Sequence, residues 1–223
     1  GAEIVHAYGA TETTPLVTMN YIKPSLEEDL SEEEKLDMRR KQGLTVPGIE
    51  MKIVDPTTGE ELSHDGESAG EILIRGPWVV SSYHDDDRTE HSFTDDGFWK
   101  SGDAGVIDKE GYLKITDRIK DVIKSGGEWI SSVDMENLLI EHPDVRDACV
   151  VGLEHPEWEE RPFALVEVED EFDREELDEI LSQRFADWQL PDEIEFTNEI
   201  PKTSVGKNNK KVIRNQYEGR YFD

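Results

Sequence analysis

The chain has 223 residues, with 53 Asp and Glu against 24 Lys and Arg and a net charge of -29. A surface of that sign repels DNA, RNA and anionic lipid, which excludes nucleic-acid partners, and five Trp, seven Phe and six Tyr exclude a wholly disordered chain. No apolar run reaches the length of a membrane span, and the single cysteine, Cys149, excludes an intrachain disulfide.

The acid is not one tail but runs from Glu27 to Asp192. Salt screens self-repulsion, so adaptation to high salt is the reading we prefer over an ordinary acidic enzyme. Cys149 lies in the apolar run Ala148–Leu153 and is expected in a core rather than as a nucleophile. The start, Gly1-Ala-Glu-Ile4, has neither an initiator Met nor a signal-peptide pattern, so a fragment or processed chain in the cytoplasm is expected.

In chain order, Ile4-Val5 reads as strand, followed by a turn and the polar loop Tyr8-Gly9-Ala10-Thr11-Glu12. Ser31 and Glu34 form a capping box for a surface helix that ends in Arg39-Arg40-Lys41 before Gly43. From Val46 to Thr116 short β runs alternate with Gly, Pro and Asp-Gly turns, which predicts a small barrel or sandwich. After Asp117 the pattern changes. Asp121 to Ile130 predicts a hairpin around Gly126-Gly127, and a helix follows from Val133 to Glu141. Ala148–Leu153 and Phe163–Val168 read as strands. Asp173 is placed to cap a helix carrying Leu177, Ile180, Leu181 and Phe185 at helical spacing. Glu193–Phe196 is a strand, Pro201–Asn209 a polar loop and Lys210–Tyr217 a last helix. Helices alternate with strands here, which predicts a small α+β domain with its boundary near Asp117-Arg118.

Four segments could carry chemistry. In Tyr8–Glu12 a ring can stack on a base, a glycine admits close backbone approach, a Thr hydroxyl can donate to phosphate and a Glu can hold Mg²⁺. A capped loop before a helix explains the same residues. In Trp99-Lys-Ser-Gly-Asp103-Ala-Gly105 an Asp after a glycine at a strand end can accept from two ribose hydroxyls; alternatively it sits in a β-turn. In Thr116–Ile130 three cations, Arg118, Lys120 and Lys124, cluster within a very acidic chain, which points to an anionic ligand or to surface ion pairs. In Ile200-Pro-Lys-Thr-Ser-Val-Gly-Lys207 a mobile loop presents a lysine before a helix. It lacks the glycine spacing of a P-loop, and a basic tail is the alternative.

Together, in this order, the four segments resemble the C-terminal part of the adenylate-forming, AMP-binding superfamily. The phrases Ser31-Glu-Glu-Glu-Lys-Leu36, Asp117–Ser132 and His155-Pro-Glu-Trp-Glu-Glu-Arg-Pro162 are similar to its long- and medium-chain fatty acyl-CoA synthetases. The likeness runs from Ala2 to about Tyr217. It implies an α/β and α+β fold: residues 1–117 as the β-rich end of the large adenylation domain, and residues 118–223 as a small mobile C-terminal domain. It implies ATP, a fatty acid and coenzyme A as substrates, with Mg²⁺. It also admits a homodimer built through an upstream part.

The resemblance also implies roles. Ala7 and Gly9 belong to the adenine loop, and Tyr8 would lie against the base. Thr11 would bind phosphate, Glu12 would hold Mg²⁺ and Asp103 would take the ribose hydroxyls. Arg118 and Lys120 would sit at a hinge near ribose and phosphate. Lys124 and Trp129 would approach the nucleotide, Gly126 and Gly127 would line a pantetheine tunnel, and Lys207 would be the catalytic lysine of adenylation. Two departures stand out: Ala7 where many relatives have Gly, which tightens the adenine loop, and Ser101 where Thr is usual. The family's phosphate loop and fatty-acid tunnel belong upstream of Gly1, so the isolated chain is expected to be inactive. The rival readings are an aryl-CoA ligase or another adenylate-forming enzyme and, from a different class, an acidic interaction module, which the cation cluster opposes.

Overall fold

The computed structural model describes residues 4–168 and 174–222. The chain forms two compact units, Gly1–Ile119 and Lys120–Asp223, and each has its own apolar clusters.

The first unit opens with a small antiparallel sheet of β1 (Ala7–Tyr8), β2 (Thr18–Met19) and β3 (Leu44–Thr45). Ile4 and Val5, expected in a strand, precede it and are exposed, and no strand pairing includes them among the described residues. Between β2 and β3 run α1 (Pro24–Glu27) and α2 (Glu32–Arg40). The capping box of α2 is reciprocal: Glu34 N donates to Ser31 Oγ at 3.3 Å and Ser31 N to Glu34 Oε2 at 2.8 Å. This satisfies two amides that the first helical turn leaves unpaired. No residue of α2 is buried.

The β run becomes a four-stranded meander in the order β4 (Glu50–Val54), β5 (Gly70–Arg75), β6 (Trp99–Ile107), β7 (Leu113–Arg118). The short helix α3 (Thr89–Ser92) precedes β6. The sheet stays open rather than closing as a barrel, since no pairing joins β4 to β7 among the described residues. Ile72 and Ile74 face one cluster with Ile53, Trp99 and Leu113, whereas Leu73 joins Val54 and Phe98 on the other face. That is the period of two expected of a strand covered on both sides. The Phe98 ring is flanked by Lys52 Nζ at 4.3 Å and the Arg75 guanidinium at 4.4 Å.

In the second unit, β8 (Ile123–Ser125) and β9 (Glu128–Ile130) form a hairpin. Then follow α4 (Ser132–Ile140), capped by Ser131, and the long antiparallel pair β10 (Val145–His155) and β11 (Glu159–Val168). α5 (Arg174–Leu181) leads to β12 (Glu193–Thr197), which lies parallel to β11, and α6 (Lys210–Gln216) comes last. The expected cap Asp173 lies outside the described residues, and Phe185 falls beyond the end of α5. One face of the sheet, with Ala148, Val150, Ala164 and Val166, packs on Met135, Leu138, Leu139, Leu177 and Leu181. The other, with Cys149, Val151, Phe163 and Leu165, packs on Ile213 and Tyr217. Both faces are covered, which is why these strands read as unbroken apolar runs. Burial pushes the Cys149 thiol up to about 12.

Candidate functional site

In the first unit, the loop after β1 and the middle of β6 border one cleft of about 570 Å³. Its walls include Tyr8, Gly9, Thr11, Glu12, Asp103 and Arg118. Six residues expected from three separate segments therefore meet in one place. Ala7 does not line the cleft; it pairs with Met19 in the small sheet and is exposed.

Asp103 is the centre of the arrangement. It is 6% exposed. It lies inside β6 and not at a strand end, because β6 continues to Ile107 through a register shift between Ala104 and Gly105. Tyr8 donates its hydroxyl to Asp103 Oδ2 at 2.6 Å, and Arg118 Nε pairs with Oδ1 at 2.8 Å. The backbone is fixed too: Asp103 N donates to Ser101 Oγ at 3.0 Å, and Ser101 Oγ donates to Ile72 O at 2.8 Å. Burial raises the Asp103 pKa, while the Tyr8 hydroxyl and the Arg118 charge pull it back. The Tyr8 hydroxyl moves far up, first through burial and then through the Asp103 charge. Each carboxylate oxygen has two lone pairs. One partner on each leaves acceptor capacity for two vicinal hydroxyls.

The loop after β1 is shaped by contact. A Cβ on Gly9 would fall 1.6 Å from Pro15 O, so only glycine fits there. A 3-10 turn over Thr11–Thr13 follows. Thr11 is exposed, and Thr13 is buried with its hydroxyl on Ala10 O at 3.0 Å. The sequence reading missed Tyr83. Its hydroxyl donates to Glu12 Oε1 at 3.1 Å and accepts from Trp99 Nε1 at 3.1 Å, so it orients the carboxylate. Its one signal was an aromatic residue inside the polar run Ser81–Arg88. Glu71, also missed, lines the same cleft, and burial raises its pKa. No group of three or more potential metal-ligating side chains occurs among the described residues. A single carboxylate is nonetheless the donor set suited to Mg²⁺, which takes one or two carboxylates together with substrate phosphates.

Arg118, expected to open the second domain, ends β7 of the first unit, where it is the register partner of Asp103 and pairs with its carboxylate. Lys120 is the first residue of the second unit and is exposed. The remaining expected residues lie in that unit. Lys124 pairs with Trp129 across the β8–β9 hairpin, and Lys124 N donates to Glu160 Oε2 at 2.9 Å. Gly126 and Gly127 make the turn at φ 61 and 86, a region that suits glycine at both positions. Gly126 N donates to Trp158 O at 3.0 Å, and the Trp158 ring would meet a Cβ on Gly126 at 3.1 Å. A second cleft opens here, bordered by Trp158, Trp188 and the buried Arg161. The guanidinium of Arg161 is held by Ser125 Oγ, two main-chain carbonyls and Asp192. From the sequence alone Trp158 and Arg161 carry no role of their own; their one signal is the phrase His155–Pro162. Lys207 stands exposed on its loop, and its side chain makes no hydrogen bond or ion pair among the described residues. No described helix is long and apolar enough to cross a membrane.

Comparison with known proteins fits this geometry. Residues 1–84 match the family described as AMP-binding enzyme, and residues 134–207 match the AMP-binding enzyme C-terminal domain. The chain is 47% identical to a long-chain-fatty-acid–CoA ligase of Thermus thermophilus, over 99% of this chain and 41% of that protein. It is 40% identical to a medium-chain-fatty-acid–CoA ligase of Ectopseudomonas oleovorans, over 97% of this chain and 39% of the relative. Among solved structures, ATP-bound MatB from Rhodopseudomonas palustris aligns with a TM-score of 0.80 at 28% identity, over 99% of this chain and 42% of that one. The o-succinylbenzoate CoA synthetase of Bacillus subtilis, in complex with its acyl-adenylate intermediate, aligns with a TM-score of 0.80 at 29% identity, over 94% of this chain and 40% of that one. The chain thus spans about two-fifths of the length of these relatives. Both domain families of AMP-binding enzymes are represented in the chain, the first over residues 1–84 and the C-terminal one over residues 134–207.

Proposed function

We propose that this chain is the C-terminal part of an ATP-dependent fatty acid–CoA ligase, which forms an acyl-adenylate and then an acyl-CoA. The observation that carries the reading is the Tyr8–Asp103–Arg118 constellation on one cleft with Thr11 and Glu12. It offers a buried carboxylate for two hydroxyls, a ring beside it, and a hydroxyl and a carboxylate at the phosphate end. The names of the fatty-acid ligases at 40% and 47% identity support the substrate class.

Asp103, held from both sides, accepts the ribose hydroxyls and sets the position of the nucleotide. Thr11 donates to a phosphate oxygen. Glu12, oriented by Tyr83, would hold Mg²⁺, which when bound offsets charge on the phosphates. In the first half-reaction the fatty-acid carboxylate attacks the α-phosphorus and pyrophosphate leaves. Two anions meet in that step. The ammonium of Lys207, a compact charge on a flexible stem, counters the charge that builds up in the transition state. In the second half-reaction the CoA thiolate attacks the acyl carbon and AMP leaves. The side-chain-free turn at Gly126-Gly127 leaves room for the narrow pantetheine arm. The second unit carries Lys207 and the glycine turn on different elements, so it serves the two halves in turn by moving about Lys120.

The test uses the full-length ligase that contains this chain. Lys207→Ala should slow pyrophosphate release by about a hundredfold to a thousandfold, the range for losing one transition-state donor. Acyl-CoA formation from supplied acyl-adenylate should persist. Pyrophosphate release at the parent rate would remove Lys207 from the mechanism, and no fatty-acid-dependent pyrophosphate release by the parent would overturn the assignment.

A further inference from the structure

We infer that Asp147 is a positioning residue for adenylation: through Lys202 and Asn208 it fixes the loop that presents Lys207. This rests on the proposed role of Lys207.

The loop has two lysines, and the structure treats them differently. Lys207 is exposed and unpaired among the described residues. Lys202 donates through Nζ to Asp147 Oδ2 and to Asn208 Oδ1, the latter at 2.6 Å. Lys202 and Asn208 also face each other in an antiparallel bridge, which closes the loop between them. Inside it, Thr203 N donates to Lys207 O at 2.7 Å, Gly206 N to Thr203 O at 2.9 Å and Lys207 N to Thr203 Oγ1 at 3.2 Å. These bonds shape the turn but do not aim it, since all their partners move with the loop.

The aim comes from outside. Asn208 Nδ2 donates to Ala148 O at 3.0 Å and approaches Asp147 Oδ1 at 3.4 Å. Asp147 is itself immobilised. It sits on β10 next to the register shift between Val145 and Asp147, and its Oδ1 accepts from Ala148 N at 2.8 Å. One carboxylate therefore ties both ends of the Lys207 loop to the central sheet. Asn208 follows Lys207 directly, so an error at the anchor passes to the lysine backbone almost undiminished. The anchor also answers an electrostatic problem. In a chain of net charge -29 a flexible loop lysine meets many carboxylates. Committing Asp147 to Lys202 leaves Lys207 free for a substrate anion.

The experiment is done in the full-length ligase, with the two half-reactions assayed separately. Asp147→Ala should lower kcat of pyrophosphate release by about tenfold to a hundredfold, the cost of a misplacement of about 1 Å in a positioned group. Acyl-CoA formation from supplied acyl-adenylate should stay within about twofold, since positioning is lost for one step only. Lys202→Met should behave likewise, and Asp147→Asn, which keeps an acceptor for Lys202, should recover most of the loss. Equal losses in both half-reactions with a lowered Tm would reduce Asp147 to a folding role and overturn the inference. So would parental pyrophosphate release by Asp147→Ala. Lys207→Ala run alongside separates the failures: if it is impaired and Asp147→Ala is not, only the anchor falls. If Lys207→Ala is unimpaired, the role of Lys207 falls and the anchor with it.

Discussion

Replacing Tyr8 by Phe removes one O–H donor and leaves the ring. The acceptor it deserts is Asp103 Oδ2, at 2.6 Å, on a residue 6% exposed that recovers little water in exchange. A hydrogen bond to a charged group nets about 1.5–3 kcal/mol. For a unit of about 119 residues, an unfolding entropy of about 2.1 cal/mol/K per residue gives roughly 250 cal/mol/K, so the expected drop in Tm is about 6–12 °C. The pH dependence has a definite sign. Burial sets the Asp103 pKa above the ordinary carboxylate value, and the Tyr8 hydroxyl pulls it down. The tyrosine's share of stability therefore requires the carboxylate: it is present above the Asp103 pKa and fades as the pH falls through it. Calorimetry of parent and Tyr8→Phe from neutral to acid pH should show two melting curves that converge in acid. A double-mutant cycle with Asp103→Asn should return a coupling of about 1.5–3 kcal/mol. A Tyr8→Phe variant melting within about 2 °C of the parent at neutral pH would refute the reasoning, because the calculated loss is several times larger.

Two further outcomes follow from burial and charge. Cys149, with its thiol pushed up to about 12 by burial, should resist iodoacetamide at pH 8 in the folded chain and react in urea; rapid labelling of the native chain would contradict its place in the core. With a net charge of -29, the Tm should rise from low salt to molar KCl as self-repulsion is screened; an unchanged or lower Tm would sink the reading of adaptation to high salt.

Local signals carried much of this structure. The Ser31–Glu34 box, the Gly126-Gly127 hairpin and the covered strands β10 and β11 are all set by contacts close in sequence or by an apolar run, and they appear where the pattern placed them. The misreadings involve partners distant in sequence. Ile4-Val5 has the composition of a strand but no pairing partner among the described residues, while Ala7–Tyr8 finds Met19 and Thr18. The β run from Val46 does not say whether its ends meet, and they do not among the described residues. Within the cleft, Tyr8, Glu12 and Asp103 were legible because each lies in a short phrase with its own chemistry. Tyr83 was not, since its role exists only through Glu12 and Trp99, far away in the chain. Arg118 was read as a hinge cation, and its pairing with Asp103 could not be read from spacing.

The parallel pairing of β12 with β11 bears on the order in which the second unit assembles. The β8–β9 and β10–β11 pairs are joined by short turns, and each can zip from its turn with little loop entropy to overcome. β12 has no such route. To lie alongside Phe163–Glu167 in the same direction, the chain must first travel back past α5 before a single ladder bond is gained. Closure of that crossover is the slow event by topology. α5, whose Leu177 and Leu181 pack on the same face as α4, holds the returning segment over the sheet it has to join. The segment carrying Lys207 follows β12 in the chain, so its return to Asp147 depends on the same crossover.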